Sequence, residues 1–90
     1  ILDGAILDHA NLSQAEMTIA NLSQASLNQA DLNASSLRAA NLAEADLSRA
    51  DLSYADLGKT DMSHADLENA NLSGANLADA NLEGTILEEG

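Results

Sequence analysis

A hydrophobic residue recurs at every fifth position of this chain. Leu or Met occupies residue 2 and each fifth residue after it as far as Leu87, 18 positions of 18. Two residues before each of these, from Ala5 to Thr85, Ala fills 14 of 17 positions, with Ser35, Thr60 and Thr85 as the exceptions. Neither column holds a charged residue, so both are expected to face an interior. A period of five excludes the two regular elements. On an α-helix, five steps of ~100° set successive leucines ~140° apart and wind them round the cylinder. On a straight strand, residues five apart point to opposite faces, which would leave half the leucines in water. The pattern is satisfied when the chain bends once in every five residues and coils.

The remaining three positions fit that reading. Asn or Asp precedes the Leu at 12 of 18 places, as at Asn11, Asp31, Asp51 and Asn81. Short amides and carboxylates bond to nearby backbone and suit turns. The two positions after Leu vary and carry most of the remaining charge, as a solvated outer surface does. Proline is absent, in keeping with a backbone whose N–H groups all bond to adjacent coils.

Composition excludes several function classes. With 15 acidic residues against 3 basic ones the net charge is −12, and a binder that neutralises phosphates needs the opposite sign. The 46% hydrophobic content is too high for a typical acidic disordered tail. Cysteine is absent, which removes disulfides, thiolate metal sites and a cysteine nucleophile. No apolar run reaches the ~18 residues that span a bilayer.

Ala20-Asn21-Leu22-Ser23-Gln24, Ala50-Asp51-Leu52-Ser53-Tyr54 and Ala75-Asn76-Leu77-Ala78-Asp79 carry a pattern that resembles the pentapeptide repeat family, A(D/N)LXX, along the whole chain. The resemblance implies an all-β fold, a right-handed quadrilateral β-helix with four pentapeptides per coil. At 20 residues per coil the 90 residues make about 4.5 coils, roughly 22 Å tall at the ~4.8 Å strand spacing. The expected core is the inward column, including Leu12, Met17, Leu22, Leu32, Leu42, Leu52, Met62, Leu72 and Leu82, and each inner hydroxyl at Ser35, Thr60 and Thr85 is expected to need a backbone partner. Residues 1–90 form one domain, expected to be uncapped and a segment of a longer protein. Ile1, Ile6 and Ile86 replace Asn or Asp near the ends. Uncapped coils present free backbone and leucines, which invites end-to-end self-association.

Function then rests with the outer columns. Residues 20 apart stack, so Asp46 lies under Asp66 and Asp31 under Asp51. Carboxylates ~5 Å apart in water repel by only about 0.8 kcal/mol, and no metal or other cofactor is expected. His9 and His64 fall in different columns, which argues against catalysis. His64 is expected near Glu44, and Lys59 is expected to pair with Asp79. Tyr54, with small neighbours in its column, and Ile19 are the candidate contacts with an unknown protein partner. The reading that follows is a non-enzymatic structural or protein-interaction module of a larger bacterial protein of cyanobacterial type, without direct nucleic-acid binding and touching membrane only through other parts of its parent chain. The alternative is a DNA mimic that binds a topoisomerase such as gyrase, as some family members do. One charge per ~1.8 Å is close to the ~1.7 Å of duplex DNA, but the acids fall on all four sides, and the Phe-rich centre and dimerising C-terminal segment of the gyrase-directed members are missing.

Overall fold

The computed structural model describes residues 3–85, so Ile1, Leu2, Ile86 and Leu87 lie outside the described residues. Each described repeat is a short extended piece followed by a turn. Parallel bridges join Asn11 to Asp31, Asp31 to Asp51 and Asp51 to Asn71, and the same 20-residue step runs from Ile6–Ser26 to Asp61–Asn81. One coil therefore closes every four pentapeptides, and the chain is a β-helix.

The repeat starting at Asp51 shows why the sequence folds this way, because every backbone N–H in it has an acceptor. Asp51 donates down to the Ala30 carbonyl (2.9 Å), while Leu52 and Tyr54 donate up to those of Asn71 (2.8 Å) and Ser73 (2.9 Å). Ala55 closes the turn on the Leu52 carbonyl at 3.1 Å. The fifth amide, that of Ser53, has no backbone acceptor and donates instead to Asp51 Oδ1 at 3.0 Å. All twelve Asn or Asp residues of that column accept the same bond from the amide two residues on. Where Ser26 replaces the acid, Asp8 of the coil below accepts from the Asn28 amide at 3.2 Å.

The corner residue two after each Leu takes a left-handed conformation, with φ from 59° at Ala34 to 67° at Ile19 among the non-glycine residues. A positive φ only at the third residue of a four-residue turn is the type II pattern. Ile19 is the sole β-branched residue in that column and the most strained by it.

The core is the stacked inward column. Leu22, Leu32, Leu42, Leu52 and Met62 are fully buried, whereas Leu12, Met17, Leu72 and Leu82 are only partly buried against them. The difference is positional: the latter four lie in the outer coils and are covered on one side. Among the inner hydroxyls, Thr60 Oγ1 donates to the Leu57 carbonyl at 2.8 Å and Thr85 Oγ1 to that of Leu82 at 2.9 Å. The expected partner of Ser35 is missing, and its Oγ is buried without a hydrogen bond.

Candidate functional site

The described residues enclose no cavity, so any site lies on the outer columns. Four sides follow in chain order and are named here by their outward columns: Asn21/Asn41/Asp61/Asn81, then Ile6/Ser26/Asp46/Asp66, then Asn11/Asp31/Asp51/Asn71, then Glu16/Ser36/Asp56/Asn76. Left-handed corners separate them.

Charge is unevenly placed on this frame. The Asp46 side with its two corners carries seven acids against Arg49, a net −6 among the described residues. The Asp56 side, directly across the prism, carries Glu16, Asp56 and Asp79 against Arg38 and Lys59, a net −1. The acids do occur on every side, but the excess sits on one half of the molecule.

The two candidate contacts flank that near-neutral side. Tyr54 is 70% exposed at one of its corners and Ile19 is 74% exposed at the other. Ile6, on the acidic side, is 80% exposed and was recognisable in the sequence as an Ile in the Asn/Asp column. The Tyr54 ring lies over Gly74, where an added Cβ would approach Cδ1 and Cε1 to 2.7 Å. Arg38 lies in the same way over Gly58, and a Cβ there would meet Nη1 at 2.6 Å. Both planar groups thus lie along the coil above and keep one face open to solvent.

The remaining expectations divide. The His64 ring lies over Gly84, not over Glu44 in the coil below. Among the described residues the ion pair formed is Arg38–Asp56 at 3.8 Å, and Lys59–Asp79 does not close. Arg38 reaches Asp56 because Gly58 leaves the coil above it bare. His9 and His64 occupy different corners, and no group of three or more metal-ligating side chains converges among the described residues.

The acidic ladders are tied up in structural bonds. Ser53 Oγ donates to Asp51 Oδ1 at 2.6 Å, and Asn33 Nδ2 donates to Ser53 Oγ at 2.7 Å. The same arrangement joins Asn28, Ser48 and Asp46. The Ser53 hydroxyl, followed by its amide, holds the Asp51 carboxyl below its ordinary 3.8. For Asp61 the Ser63 amide and then its hydroxyl act in the same direction. These carboxylates are held ionised as turn acceptors, the reverse of what a general acid at neutral pH requires. No helix of the described residues is long and apolar enough to cross a membrane.

Comparison with known proteins agrees with this geometry. Pentapeptide repeats match the chain in 8 copies, over residues 2–33, 20–53, 30–69 and 50–88. Among solved structures, alr5209, a pentapeptide repeat protein from Nostoc Pcc 7120, is 35% identical over 92% of this chain and 84% of its own, with a TM-score of 0.88. AT2G44920, a pentapeptide repeat protein from the Arabidopsis thaliana thylakoid lumen, is 29% identical over 93% of this chain and 62% of its own, with a TM-score of 0.53. No curated protein matches the chain significantly. With the five-residue period, the 20-residue coil and these matches in hand, the chain belongs to the pentapeptide repeat family.

Proposed function

We propose that the chain is a non-enzymatic structural and protein-interaction module of a larger bacterial protein, built as a right-handed quadrilateral β-helix. The observation that carries the reading is a described surface without a cavity, on which the aspartates of the Asn/Asp column serve the turns and three large apolar side chains, Ile6, Ile19 and Tyr54, stand exposed. A convex prism cannot exclude water from a reacting group, whereas rigid columns present side chains to a partner at low entropic cost. End-to-end stacking of coils belongs to the same proposal. The gyrase-mimic alternative draws no support from the described charges, which gather on one half of the prism and do not follow two phosphate-like tracks.

Placing a photo-reactive phenylalanine at Tyr54 or Ile19 in the native cell tests the reading. A discrete cross-linked protein band is expected at one of the two. Absence of any cross-link at both positions, or catalytic turnover by the purified, metal-defined chain, would overturn it.

A further inference from the structure

We draw no further inference here: the strongest candidate, the pair of exposed apolar side chains Ile19 and Tyr54 at the two corners of the Asp56 side, carries nothing beyond the partner contacts already proposed, because the two stand on different coils and nothing in the structure shows what covers either corner.

Discussion

Ser35 occupies a column where Ala predominates, and it is buried with its hydroxyl unpartnered. A desolvated hydroxyl without a bond costs roughly 1–3 kcal/mol, and Ala fits the site at seven equivalent fully buried positions from Ala25 to Ala65. Ser35→Ala is therefore expected to stabilise the chain by about 1 kcal/mol, seen as a melting temperature higher by several degrees. Thr60→Ala should gain less or lose stability, because the Thr60 hydroxyl already bonds to the Leu57 carbonyl. The sequence marked Ser35 and Thr60 alike as inner hydroxyls, but which of them found a carbonyl depends on side-chain rotation that residue type alone does not specify. Titration at this scale has a definite sign. Asp51 and Asp61 are held below 3.8 in the folded chain by Ser53 and Ser63. Their contribution is fully present above the unfolded value near pH 4 and is lost as pH falls through the lower folded values. Lower pH also relieves the self-repulsion of a chain of net charge −12, which acts in the opposite direction, so the comparison must be between variants. In Asp51→Asn/Asp61→Asn, which keeps the Oδ1 acceptors, the urea midpoint should fall less between pH 5 and pH 3 than in the unmodified chain.

At the scale of the five-residue element, the Asn/Asp column was legible as turn chemistry, and the structure supplies the reason: one amide per repeat has no backbone acceptor, and Oδ1 takes it, as from Ser53 to Asp51. The lateral neighbours were less legible. Residues 20 apart could be assigned to one column, but a column does not say whether a long side chain reaches along it or sideways. Lys59 and Asp79 share a column and remain apart, while Arg38 pairs with Asp56, a residue of a different column. A signal for these placements was present in Gly58, Gly74 and Gly84, each of which stands 20 residues after a planar side chain and leaves room for it. Gly74 also has φ +71°, so Gly74→Ala introduces both left-handed strain and a clash with Tyr54. The expected cost is about 1–2 kcal/mol in the urea unfolding free energy, with a change in Tyr54 fluorescence as the ring leaves its place. In Tyr54→Ala the clash is absent, and the same Gly74→Ala change should cost only about 1 kcal/mol.

Across the whole molecule, stability is a sum of coils and of the contacts between neighbouring coils, because each coil touches only the ones above and below it. The sequence identified the inward column but treated its 18 positions as equivalent. The structure grades them: Leu52 is fully buried, whereas Leu72, one coil further on, is partly exposed. A period of five carries no information about how many neighbours a coil has, so this gradient belongs to the stack. It can be measured with one substitution made twice. Leu52→Ala empties a site closed on both sides in an interior without a cavity, and the loss should approach about 3–4 kcal/mol. Leu72→Ala removes the same atoms from a partly open site and should cost about 1–2 kcal/mol. Urea unfolding of the two variants reads the difference directly, and amide exchange should show the same grading, with Leu42 and Leu52 slowest and exchange faster toward Leu12 and Leu82. Equal losses at Leu52 and Leu72 would mean that the last coils are as well covered as the central ones, and the stack would then have to continue through a partner or a second copy.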